Sequence, residues 1–460
     1  MGKTILVDES IQDYVSQLYD TGQWQLGLII GQPTHHKDYA VRLICSPEPV
    51  EDEASEDDEE PKQAKKSQKP VSMVDCDERW IATHARQVTR MLPGGLHVMG
   101  IFALAPPNMM SSSQAKFRQI LYLIHRGVSK GLIQKDLSTE RYLLQICSNT
   151  RKFTCKIIDV LDPKNGFRPA DWKSQSTKEK WIKLQTDINI DLKINVPVRQ
   201  QNQSMLKQIQ QGILPYCGNL CKGIMSINGE LRDLTEVLDH STTESKRSKG
   251  RDKGQTTQKV YNVDFYTEPI SARLDEPEFH ESICRLVIQG VTNGRAFVHS
   301  KSVVSEAKQA MITDIIRSIH SRCELLCEDI EVIEEEEKVK TGIKKELYDT
   351  PVRVFGKLPG SNLDFCDYKF QDEKLEEVID RIEELLDIKM DPTELELDCE
   401  QVACEENLLE SKDDILNTGN SKKNSKDSQK SIFNIFTVIA GGIAVLAAGL
   451  SYMIIGDSNT

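Results

Sequence analysis

From Ser431 to Gly456 the chain carries no charged residue, and its apolar core runs from Ile435 to Ile455. A helix needs about 20 predominantly apolar residues to cross the hydrocarbon of a bilayer. The segment supplies them, so 432–455 is expected to be a single transmembrane helix. A buried core helix of the same composition would need later chain to cover it, and only Gly456-Asp-Ser-Asn-Thr460 follows. The expectation is therefore a tail anchor, inserted after synthesis. Lys422, Lys423, Lys426 and Lys430 precede the span and Asp457 follows it. Positive charge stays cytosolic, which places the large amino-terminal part in the cytosol. The weakly charged end favours the endoplasmic reticulum over the outer mitochondrial membrane. Beside Gly441, residues Ala440, Ala444 and Ala448 form a small-x-x-x-small stripe. Such a stripe packs against another helix in some spans and against nothing in others.

The 460 residues leave room for two or three domains. A net charge of -13 argues against nucleic acid as a partner, because phosphate contacts need a basic face and none is evident on the expected elements. The twelve cysteines are scattered. Cys217 with Cys221, and Cys323 with Cys327, have a C-x-x-x-C spacing that does not suit a zinc knuckle, so they read as buried thiols in a reducing compartment. The amino terminus lacks the apolar run of a signal peptide. Leu6 stands where a myristoylation signal after Gly2 would have Ser or Thr.

Three stretches read as solvated chain. The first, 46–72, holds the acidic block Glu51 to Glu60, where like charges repel. Ser55 inside it fits an acidophilic kinase site as well as a bare loop. The second, 239–259, is a polar, basic linker, and the third, 391–430, is a polar tether. The fold class expected is α/β, of the α+β kind: a first domain over 1–238, a second α+β region over 260–390, and the anchor. In the first, Leu26–Ile30 and Tyr39–Cys45 form a hairpin. A helix over Asp77–Met91 stops at Pro93-Gly-Gly95. A strand over 96–104 and a helix over 111–128 follow, then strands over 141–148 and 153–160 and a helix over 199–213. In the second, 260–266 is a strand, and strands over 282–299 turn at Thr292-Asn-Gly294. A long helix begins at Val303, a strand lies near 352–355, and a last helix spans 372–387.

The order hairpin, helix, strand, Pro-rich loop, helix over roughly 5–130 resembles the MPN fold of the JAMM zinc isopeptidases. The local strings carry the resemblance: Trp24-Gln-Leu-Gly27-Leu-Ile-Ile-Gly31, and Gly100-Ile-Phe-Ala103-Leu-Ala105-Pro106 with Ser113 and Lys116 at the matching spacing. In that family a glutamate polarises water while two histidines and an aspartate hold zinc. The positions that match here are Trp24, Ala103, Ala105 and Lys116, with only Ser113 retained. Alanine offers no lone pair, and lysine would set a cation beside a dication. The resemblance therefore implies a metal-free domain with no cofactor and no isopeptidase chemistry. Ser113 is expected to serve as a helix N-cap. There is no G-x-S-x-G elbow, phosphate loop or H-E-x-x-H elsewhere.

Taken whole, the chain resembles the odorant response abnormal protein 4 family. The resemblance rests on Met91-Leu-Pro-Gly-Gly-Leu-His-Val-Met-Gly-Ile-Phe102, Gly294-Arg-Ala-Phe-Val-His299, Arg353-Val-Phe-Gly-Lys-Leu-Pro-Gly360 and the carboxy-terminal anchor. It implies a membrane-anchored, non-enzymatic factor in the folding and trafficking of polytopic receptors, odorant G-protein-coupled receptors among them. It implies as partner a cytosolic protein, the MPN-containing ubiquitin-fold-modifier protease at the endoplasmic reticulum. The expectation is an adaptor that holds this partner on the bilayer. A direct intramembrane chaperone for receptor cargo and a protease with an unrecognised site stand as alternatives.

Overall fold

The structure is a computed structural model that describes residues 3–34, 37–47, 70–129, 138–162, 164–175, 180–239, 258–268, 282–340, 350–400 and 444–445. Ser55, most of the acidic loop and nearly all of the expected span lie outside them. Ala444–Val445 alone represents that span, as a two-residue strand against Ile288 and Gln289 rather than a helical turn. No helix among the described residues is long and apolar enough to cross a membrane.

Seven strands close into a barrel. They are β1 (Thr4–Asp8), β2 (Gln25–Gln32), β3 (Asp38–Cys45), β4 (His97–Ala105), β5 (Glu140–Cys147), β6 (Phe153–Asp159) and β7 (Arg168–Gln175), in the order β1-β3-β2-β4-β5-β6-β7. β2 and β3 form the expected antiparallel hairpin. β2 is buried along its whole length because both its faces are covered. Ile29 meets α1 (Ser10–Tyr19), whose Ile11, Val15 and Leu18 recur at helical spacing. Leu26, Leu28 and Ile30 point the other way, into a cluster shared with α2 (Glu78–Arg90) and α4 (Gln114–Ser129). A short helix, α3 (Pro107–Ser112), splits off the start of the helix expected over 111–128. β1 and α1 were not singled out by the sequence reading.

A second layer is a sheet ordered β10-β9-β11-β8-β12, with the Ala444–Val445 pair at its far edge. Its strands are β8 (Trp181–Pro197), β9 (Ile224–Ile227), β10 (Glu230–Leu231), β11 (Lys259–Tyr266) and β12 (Ser282–His299). α5 (Met205–Lys222) and α6 (Val304–Lys340) pack on it through Ile209, Ile213, Ile315 and Ile319. The helix expected over 199–213 is thus set further along the chain. The expected turn at Thr292-Asn-Gly294 is corrected: β12 runs straight through, pairing Thr292 with Ile188 and Gly294 with Thr186. Gly294 is needed for closeness, since a Cβ there would lie 2.9 Å from Thr186 and 3.2 Å from Met311 of α6. Cys217, Cys323 and Cys327 are buried thiols in this layer, and Cys221 is half-buried.

The region expected over 260–390 serves both cores. The hairpin β13 (Val352–Lys357) and β14 (Asp364–Lys369), with α7 (Leu375–Leu386), buries Val354, Phe365, Val378 and Ile382 in the barrel's cluster, not the second one. β8, within the expected first domain, belongs to the second sheet. The physical reason is that the β8–β12 ribbon has a face toward each core: Trp181 and Phe297 lie in the first, while Ile182 and Val298, one residue along, lie in the second together with Ile190 and Ile288.

Candidate functional site

Of the positions matched to a zinc frame, Trp24, Ala103 and Ala105 fall in one large apolar cluster and Lys116 does not. Trp24, at the entry of β2, shares one apolar cluster with Ala103 and Ala105 of β4, alongside Met110 and Phe117. Both alanines are fully buried, so the place is filled by methyls and an indole. The Trp24 indole donates from Nε1 to the Pro70 carbonyl at 3.0 Å, closing the neck where the acidic loop returns. Ser113 precedes α4, as the N-cap expectation requires. Its hydroxyl, however, donates back to the Met109 carbonyl at 2.9 Å instead of accepting from the new helix. Lys116 on α4 makes an ion pair with Glu78 of α2 at 2.7 Å. The Lys116 hydrogen bond and charge hold the Glu78 carboxyl below the usual carboxylate range. The Lys116 cation is therefore satisfied by a partner the sequence does not advertise. Among the described residues no group of three or more His, Cys, Asp and Glu is placed to hold a metal ion.

The strings that carried the family resemblance converge elsewhere, on the seam between the two cores. Gly94 and Gly95 follow α2 and dock on β12: the Gly94 N–H donates to the Arg295 carbonyl at 3.0 Å, and the Phe297 N–H to the Gly94 carbonyl at 2.8 Å. Any side chain at Gly94 would meet the Ala310 carbonyl of α6 at 2.1 Å, and Gly95 has φ +82. That requirement is steric as well as conformational. Asp314 of α6 accepts from the N–H of Gly94 at 2.9 Å and of Arg295 at 2.8 Å, and takes both ends of the Arg353 guanidinium at 2.7 Å. Arg353 and Asp314 are both fully buried. Burial works against the guanidinium's charge, but Asp314 holds it firmly protonated. Arg353 also lies 4.9 Å from the Phe355 ring centre, with Arg295 over the same ring at 3.7 Å.

The seam ends on Glu400. Both oxygens of its carboxylate accept from Arg322 Nη2 at 2.6 Å, and it accepts from the backbone N–H groups of Asn293 at 3.0 Å and Arg353 at 2.9 Å. Just before it, Glu396 pairs with Arg295 at 2.7 Å and forms a bridge with Phe355. Residues 391–400 are thus part of the folded body, where the sequence places the start of a tether. Sequence reasoning missed Glu78, Asp314, Arg322 and Glu400. A carboxylate in an acidic chain carries no mark of which one is buried.

The family described as Odorant response abnormal 4-like matches residues 27–397. Protein odr-4 homolog of Homo sapiens is 32% identical over 389 residues, covering 83% of this chain and 82% of that protein. Odorant response abnormal protein 4 of Caenorhabditis elegans is 26% identical over 272 residues, covering 58% of this chain and 54% of that protein. Among solved structures, UfSP from C. elegans superposes with a TM-score of 0.42 at 9% identity, over 84% of this chain and 57% of that one. That likeness is too loose to assign a fold. A match of the family across most of the chain, joined by relatives at this level of identity, establishes one conclusion: the chain belongs to the odorant response abnormal 4-like family.

Proposed function

We propose that this chain is a non-catalytic adaptor, held at the endoplasmic reticulum membrane by a single carboxy-terminal span. Its cytosolic body binds an MPN-containing cytosolic protein, the ubiquitin-fold-modifier protease, and supports the folding and trafficking of membrane receptors such as odorant receptors. The observation that carries this reading is the state of the MPN-like frame. Indole, methyls and a lysine–glutamate ion pair occupy the positions where a metalloprotease of that kind needs lone pairs. The relatives' names, which speak of odorant response, support the receptor side. The uncharged stretch 431–456 supports the anchor. Tethering would raise the partner's concentration near membrane substrates, turning a weak encounter into an effectively intramolecular one.

The test is capture of partners by the full chain extracted from membranes, with zinc measured on the same sample. A stoichiometric cytosolic protease and no zinc supports the adaptor; bound zinc, or hydrolysis of a modifier conjugate without a partner, overturns it. Replacing the span by an unrelated tail anchor should leave an adaptor working. Loss of receptor trafficking in that chimera favours an intramembrane chaperone acting through the Ala440, Ala444, Ala448 stripe.

A further inference from the structure

Between the barrel mouth and α6 lies a cleft of about 720 Å³, a volume in the range of small-molecule sites. Its barrel wall includes Lys3, His97 and Arg141, and its helix wall includes Ser302, Glu306 and Gln309. The carboxylates at the cleft are already engaged. Asp38 accepts from the Tyr142 hydroxyl at 2.7 Å and pairs with Lys3 at 2.8 Å. Glu140 is shared by Lys3 at 3.2 Å and Arg168 at 2.8 Å. Glu306 accepts from the Val303 N–H at the start of α6, at 3.2 Å.

Arg141 is different. It is 5% exposed, yet its guanidinium donates only to the Ser138 and Glu140 carbonyls and the His125 Nδ1, and its Nε has no partner. Among the described residues no carboxylate pairs with it. A buried cation without a counter-charge costs several kcal/mol, which an incoming anion offsets. Two more polar atoms that face no partner belong to cleft residues: His97 Nδ1 and Ser302 Oγ. Burial, with Arg317 and Arg141 close by, pushes the His97 imidazole down to about 3, so it lines the cleft as a neutral ring. Pro33, Val98, Met99 and Val128 add apolar lining.

We propose that this cleft binds a small molecule bearing one oxyanion, seated on Arg141 and His97, with Ser302 meeting it from the helix wall and an apolar body against Val98 and Val128. Among the described residues lining the cleft, Arg141 is the cation without a carboxylate, which favours a singly charged group, a carboxylate before a phosphate. The inference is independent of the adaptor reading, since neither the frame nor the tail takes part in it.

The experiment is thermal unfolding of the full chain in detergent with hexanoate or inorganic phosphate, against chloride at equal ionic strength. Hexanoate should give a saturable rise in Tm of about 3 °C. Phosphate acting alone would keep the oxyanion site and overturn the carboxylate preference. The rise should vanish in Arg141→Met and shrink in Ser302→Ala. No rise with either probe, or a rise undiminished in Arg141→Met, overturns the site. A second readout needs no variant: bound oxyanion should shift the His97 ring resonances at neutral pH, followed by NMR. An unmoved His97 at saturating anion also overturns the proposal.

Discussion

Two ion pairs in this molecule use the same chemistry in opposite settings. Lys116–Glu78 joins two helices, α4 and α2, each side chain 21% exposed. Arg353–Asp314 joins the two cores, each side chain 0% exposed. Water and salt moderate the first, so its contribution is small. The second has no water to fall back on, so either partner alone is an uncompensated buried charge. The helix–helix pair is therefore expected to tolerate change, while the seam is expected not to.

The largest effect should come from Arg353→Met or Asp314→Leu, each costing about 3–5 kcal/mol in denaturant unfolding. The double substitution should be milder than either single one. If the singles cost under about 1 kcal/mol, the contrast between the two pairs fails. Next comes acid. His84 of α2 joins the Ser46 hydroxyl at 2.9 Å and the Leu385 carbonyl at 2.9 Å, and burial pushes its imidazole down to about 4. The unfolded chain takes up that proton first, near pH 6.5. Stability from His84 is therefore full above pH 6.5 and lost as pH falls toward 4, by an amount on the order of 3 kcal/mol. Asp367, pushed up to about 6 by burial, works the other way in the same window. The measurement is hence the difference in pH dependence between the native chain and His84→Gln, in which the acid loss should be absent and the opposite trend of Asp367 left exposed. A parallel dependence in both would remove His84 from the account.

Glu400→Gln should cost about 1–3 kcal/mol, because Arg322 loses its carboxylate while the backbone donors keep an acceptor. Hydrogen exchange should rise first at Asn293 and Arg353. Lys116→Ala should cost at most about 1 kcal/mol and leave partner capture unchanged. A larger loss would mean the rewired frame supports the fold as strongly as the seam does.

What the sequence made legible follows from range. The β2–β3 hairpin, α2 and β4 were readable because turn residues, a stop at Pro93-Gly-Gly95 and local periodicity mark them. β8 was readable but unread: Ile182, Leu184, Ile188, Ile190, Leu192, Ile194 and Val196 keep a period of two. β12 was misread at Asn293-Gly294, a turn pair in isolation that here makes room for α6. The seam was not legible, because Asp314 and Gly94 are 220 residues apart. Trp24, Ala103 and Ala105 share one apolar cluster, as their apolar character allows. The partner that neutralises Lys116 was not legible, since Glu78 comes from another helix.

The grip on Glu400 has a mechanical consequence. The carboxylate is tied at once to α6 through Arg322, to β12 through Asn293 and to β13 through Arg353. A pull applied to the chain beyond residue 400 therefore meets several bonds loaded together, spread over elements of both cores. Hydrogen bonds in parallel share a load that would open them one at a time if they lay in series. The short bridge between Phe355 and Glu396, which alone would peel, is shielded by this knot. Whatever the carboxy-terminal segment is fastened to, drag on it reaches the body as a whole.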